Sequence, residues 1–130
     1  NAKRDWGYAP EYVEGMWLML QADKPDDYVM ATGESHSVKE FIENSFEVLG
    51  EKIIWSGSGK NEIGTLKSSN KIVVTINPRY FRPTEVDSLI GDATKAEKQL
   101  GWKASTKFKE LVQIMVEADY TKIKKRSGKT

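Results

Sequence analysis

Apolar residues recur along this chain mostly with the helical period. In residues 10–21, Tyr12, Val13, Met16, Trp17 and Leu20 fall three and four apart, the spacing of one helix face. Pro10 suits a first turn because its missing N–H has no partner to lose there, and Glu11 meets the positive end of the helix dipole. A second helix is predicted over about 37–49, where Val38, Phe41, Ile42, Ser45 and Leu49 share a face. Ser37 and Glu40 stand at capping-box spacing before it, and Gly50 stops it. A short helix follows at about 94–100, with Thr94–Glu97 and Asp92 as competing caps, and a long one at about 106–123 that turns Phe108, Leu111, Val112 and Met115 inward. Tyr28 to Thr32 reads as a short buried strand, and Lys52 to Trp55 and Lys71 to Ile76 as two more, the last rich in Ile and Val. Residues 3–7 form an extended lead-in, residues 56–70 a polar mobile loop, and residues 122–130 a mobile basic tail.

Composition narrows the class. The chain has 130 residues, with 20 Lys and Arg against 19 Asp and Glu for a net charge of +1, so no global field argues for nucleic acid or membrane. One domain of this size supports a modest core. There is no cysteine, hence no disulfide framework and no thiolate chemistry, as suits a cytoplasmic protein. His36 is the single histidine, which leaves zinc without a ligand set and favours a loop histidine near a helix cap. The first residue is Asn and the pattern starts in mid-motif, the expectation for a piece of a longer polypeptide.

Candidate chemistry gathers in two stretches. In Tyr80-Phe81-Arg82-Pro83-Thr84-Glu85, Arg82 offers a planar fork of donors suited to phosphate, and Pro83 restricts where that fork points. Glu85 is an acceptor able to grip a diol such as a ribose, and Tyr80 shares the loop. The alternative is a surface salt bridge beside a helix cap. Near the start, Arg4 offers a second fork with Trp6 two residues on; the alternative there is an Arg4–Asp5 surface ion pair with Trp6 as packing. Ser56-Gly57-Ser58-Gly59-Lys60-Asn61 fails as a phosphate loop, because its first Gly is misplaced and Asn61 stands where Ser or Thr belongs. Tyr120 and Lys124 match a Tyr-x-x-x-Lys pattern only formally, in the last helix. Nothing in the chain carries the Gly-rich strand–loop–helix of a dinucleotide site.

Three blocks in order, Arg4-Asp5-Trp6-Gly7, Ala31 to Phe41 and Tyr80 to Lys103, resemble the C-terminal part of GDP-mannose 4,6-dehydratases, which are extended short-chain dehydrogenases/reductases. The resemblance implies an α/β fold: the nucleotide-sugar-binding portion of a Rossmann-like enzyme, with one strand and helix of the nucleotide-binding core and with the Gly-rich cofactor loop absent from this chain. It implies GDP-mannose as substrate, NADP as the parent enzyme's cofactor, a missing N-terminal cofactor domain and a homo-oligomeric parent. Carried over residue by residue, Arg4 and Arg82 meet the diphosphate, Glu85 the ribose hydroxyls, and Trp6 and Tyr80 lie beside them. No catalytic or metal-binding residue is assigned. The helix over 10–21 would face the nucleotide-binding core, leaving Trp17 and the methionines exposed here. The alternatives are another nucleotide-sugar epimerase or dehydratase, a non-enzymatic module for phosphorylated ligands, and a structural or tail-mediated interaction protein.

Overall fold

Trp102 lies almost wholly buried, 3% exposed, where four segments meet, and a computed structural model describes residues 2–82 and 88–128 around it. Ala96 and Ala104 are buried beside it, with Tyr12, Leu18, Tyr28, Met30 and Leu100 packed around them. The indole N–H donates to the Glu11 carbonyl at 2.7 Å, so the ring is fixed in orientation as well as in depth.

Helix α1, Ala9–Gln21, packs on this core through Tyr12, Gly15 and Leu18. Gly15 sits against the core because a Cβ there would collide with Met30 Cε and stand 2.9 Å from the Trp102 indole. The predicted apolar stripe points the other way: Val13 is 63% exposed, Met16 57%, Trp17 57% and Leu20 81%. Helix α3, Thr94–Leu100, closes the core from the far side and ends at Gly101 in the left-handed region. Neither candidate cap is made: the N-cap residue is Ala93, and no side chain caps it. Asp92 accepts from the Thr94 N–H at 2.9 Å, whereas Glu97 turns instead to Lys103 at 3.4 Å.

A second cluster joins helix α2, Val38–Val48, to helix α4, Phe108–Arg126. Phe41, Trp6 and Phe108 meet ring to ring, with Leu111 and Val112 buried beneath. The Ser37–Glu40 capping box is made as predicted, with Ser37 Oγ accepting from the Glu40 N–H at 3.1 Å. Helix α4 runs to Arg126 rather than ending near 123. Lys124, Lys125 and Arg126 occupy its last turn, where positive charge suits the helix dipole.

Strand β1, Lys3–Arg4, pairs antiparallel with β2, His36–Ser37. Its other side meets Ser88 in a parallel bridge. Strands β3 (Ile53–Ser56), β4 (Ile63–Leu66) and β5 (Ile72–Thr75) form an antiparallel meander with β4 central. It is tied to α2 by Trp55, whose N–H donates to Glu43 at 2.7 Å. The expected loop over 56–70 therefore contains a single 3-10 turn and the middle strand. The expected strand over 28–32 is not one. That segment is extended, with Ala31 buried, but its amide at Thr32 bonds to the Asp5 carboxylate instead of a neighbouring strand.

Candidate functional site

Ser88 and Leu89 form a seam with the strand that carries Arg4. Lys3 accepts at its carbonyl from the Leu89 N–H at 3.2 Å. Ser35 and Ser88 hydroxyls meet at 3.2 Å on the same seam. β1 thus has β2 on one side and Ser88 on the other, which gives Arg4 a fixed backbone although it lies near a chain end.

Arg4 is half-buried, and its guanidinium donates to the Lys3 carbonyl at 2.7 Å. Trp6 stacks on Phe41 with ring centroids 4.9 Å apart and donates its N–H to the His36 carbonyl at 2.8 Å. One ring face and the polar edge are therefore engaged, so Trp6 ties the chain after β1 to β2. Tyr80 is 71% exposed and follows a turn in which its N–H donates to the Asn77 carbonyl at 3.0 Å. The Arg79 guanidinium lies 5.6 Å from the centre of its ring. Arg82 is exposed. Glu85 lies outside the described residues.

Asp5 is the organising residue, and sequence reasoning treated it only as a surface ion-pair partner for Arg4. One carboxylate oxygen accepts from the Thr32 N–H at 2.9 Å and the Thr32 hydroxyl at 2.7 Å. The other accepts from Gly33 N–H at 3.1 Å and Gly91 N–H at 3.4 Å. Gly91 is required by close approach, since a Cβ there would strike Ala31. The one available signal was an acid beside Arg4 together with Thr-Gly turns elsewhere, which is too weak to pair without coordinates.

Beyond Thr32 the network reaches helix α4. The Glu34 N–H donates to the Thr32 hydroxyl at 3.1 Å, and the Glu34 carboxylate pairs with Lys107 at 3.0 Å. The hydrogen bond from Lys107 holds the Glu34 carboxyl below its ordinary pKa despite the opposing effect of desolvation. His36 stacks on Phe108 with centroids 3.9 Å apart and has Glu34 and Glu40 each at 3.7 Å. The Ser37 N–H holds the Glu40 carboxyl low in turn. Among the described residues no cluster of His, Cys, Asp and Glu is arranged to hold a metal ion.

A depression of about 690 Å³ lies between the C-terminal end of α1 and α3 and is lined by Asp23, Asp26 and Tyr28 among others. It contains neither arginine candidate, and its carboxylates have the wrong sign for a phosphate. The Gly57–Gly59 turn joins two antiparallel strands, with no helix N-terminus behind it to receive a pyrophosphate. Tyr120 is 54% exposed on the outer half of α4, remote from any strand-to-helix junction. No helix among the described residues is long and apolar enough to cross a membrane.

A family profile described as GDP-mannose 4,6 dehydratase matches residues 1–115. A GDP-mannose 4,6 dehydratase from Cricetulus griseus and one from Homo sapiens are each 56% identical over 119 residues, covering 92% of this chain and 32% of the relative. One from Sinorhizobium fredii is 53% identical and is covered over 34% of its length. The chain spans about a third of the length of the curated relatives it matches. Among solved structures, RMD from Pseudomonas aeruginosa, complexed with NADPH, superimposes with a TM-score of 0.66 at 13% identity. That match covers 93% of this chain and 34% of the other. The likeness establishes an α/β fold shared with part of that protein.

Proposed function

Since this chain belongs to the GDP-mannose 4,6-dehydratase family, we propose that it forms the nucleotide-sugar-binding part of a lyase acting on GDP-mannose. Arg4 and Arg82 hold the diphosphate, Glu85 reads the ribose hydroxyls, and Tyr80 borders the ligand. Trp6 lies beside them. The observation that supports this reading is the Leu89–Lys3 hydrogen bond, which sets Leu89, seven residues after Arg82 in the sequence, beside the Arg4 strand. Two forked cations on one diphosphate make physical sense, because each forms charge-assisted bonds worth about 1.5–3 kcal/mol.

The reaction assigned to the longer enzyme is loss of water from GDP-mannose to give GDP-4-keto-6-deoxymannose, on the route to GDP-fucose. NADP belongs to that enzyme. The residues of this chain do not fit it, since its Gly-rich turn lies between antiparallel strands. This chain's own contribution is to bind and orient the GDP moiety. One strand and helix of the nucleotide-binding core, a homo-oligomeric assembly and a cytoplasmic location complete the proposal.

Two incubations with GDP-mannose and NADP test it. The first uses a longer polypeptide that carries these 130 residues behind a cofactor-binding part, and the second uses the chain alone. The dehydrated keto sugar should form in the first and not in the second. Turnover by the isolated chain would contradict the division of labour, and absence of product in the first would contradict the assigned reaction.

A further inference from the structure

We infer that the outer half of α4 is a self-complementary surface, on which a second copy of this chain docks its own α4 in antiparallel orientation. The helix is buried only near its start, through Phe108, Leu111 and Val112. Every residue from Glu117 to Arg126 is exposed, over a length of about 15 Å. The family profile stops at residue 115, so this segment lies outside the part matched to the family. Val116, Tyr120 and Ile123 follow one another at steps of four and three and therefore share one side of the helix. Tyr120 is 54% exposed and Ile123 64%, which leaves an apolar seam open to solvent.

The order of charges along the two edges of that seam selects its occupant. Glu117 and Lys124 lie seven apart on one edge, and Asp119 and Arg126 seven apart on the other. Each edge therefore runs from acid to base. Glu117 is also held by Gln113, whose amide donates to it at 2.8 Å. A second α4 running the opposite way sets Glu117 against Lys124 of the second copy, and Asp119 against Arg126 of the second copy. The two-fold axis of such a pair repeats both contacts, so opposite charges flank Val116, Tyr120 and Ile123 on either edge. A parallel copy would match only Asp119 with Lys124, and it would crowd the two bodies together at one end. An anionic surface suits the seam less well, because Glu117 and Asp119 border it.

The seam is short, so this pairing belongs among weak contacts and is read at high concentration. Sedimentation of the 130-residue chain tests it, with Trp17→Ser and Leu20→Glu in every sample so that the exposed side of α1 takes no part. A monomer–dimer equilibrium should appear and should weaken as salt rises. Glu117→Lys alone and Lys124→Glu alone each set like charges face to face at both repeats of one contact, and each should weaken pairing about ten-fold. Mixing those two variants should restore it, because each then meets the opposite sign, and so should the double swap within one chain. Recovery on mixing also shows that both single variants are folded. A chain that stays monomeric up to about 1 mM would overturn the inference. So would tighter pairing in Glu117→Lys, or single variants that do not recover when mixed.

Discussion

Glu11 and Thr106 are joined twice, the carboxylate oxygen accepting from both the Thr106 N–H and its hydroxyl at 2.9 Å. Ser105 donates to the same oxygen. A residue chosen by the sequence for the start of α1 thus also secures the approach to α4. Burial pushes the Glu11 carboxyl up, but the donors from Ser105 and Thr106 outweigh it and hold the pKa below 4.5.

That depression has a definite sign. A carboxyl with its folded pKa below its unfolded value stabilises fully above the unfolded value, and the contribution is lost as pH falls through the folded one. The pH dependence of unfolding below about 4.5 should therefore be shallower in Glu11→Gln than in the native chain. At neutral pH the variant should lose about 1 kcal/mol, since the amide oxygen retains neutral hydrogen bonds. Urea titrations across the acid range read both. An unchanged acid slope would contradict this role for Glu11.

Gly15→Ala reverses the usual helix rule. Alanine in a helix interior normally gains about 1 kcal/mol over glycine. Here the new methyl meets Met30 and Trp102, so a net loss of about 1–3 kcal/mol is expected from overpacking. Chemical denaturation with Trp fluorescence measures the sign. A stabilised variant would mean that Met30 yields easily and that the contact is loose.

The exposed stripe of Val13, Met16, Trp17 and Leu20 should bind an environment-sensitive hydrophobic dye and drive self-association. Trp17→Ser with Leu20→Glu should abolish dye binding and association through the stripe while changing stability by under about 1 kcal/mol, because these side chains are largely exposed. Sedimentation and dye titration decide it. A monomer that ignores the dye would contradict the expectation.

What was legible in the sequence follows the range of the interactions. Ser37–Glu40 and the faces of α2 and α4 are local, and the helical period and capping spacing exposed them. The face of α1 was legible only as a stripe, since its inward side is the one bearing Gly15, and a glycine leaves no apolar signal. β4 was missed because Ile63-Gly64-Thr65-Leu66 is short and interrupted, and becomes a strand only between β3 and β5. The 28–32 segment was misread because strand-like residues there are held by Asp5 and the Trp102 core rather than by a ladder. At the site, Arg4 and Arg82 were proposed from their guanidinium chemistry and from motif resemblance. The Asp5 clamp joins positions far apart in sequence, which no local pattern records.

The Arg82 series separates fork from charge. Arg82→Ala should weaken GDP binding by about 1.5–3 kcal/mol, the range for hydrogen bonds to charged groups. Arg82→Lys should recover only part, because an ammonium does not reproduce the planar fork. Glu85→Gln should cost less, and nothing measurable for a ligand without ribose hydroxyls. Full recovery by lysine would indicate a simple point charge in place of bidentate recognition.

The most direct measurement is a crystal structure of the chain with GDP bound. The account predicts both guanidinium groups, from Arg4 and Arg82, within about 3 Å of oxygens of the same diphosphate, with Glu85 on the ribose. Guanidinium groups on opposite faces, more than about 15 Å apart, are beyond what one diphosphate and two side chains can bridge and would contradict it.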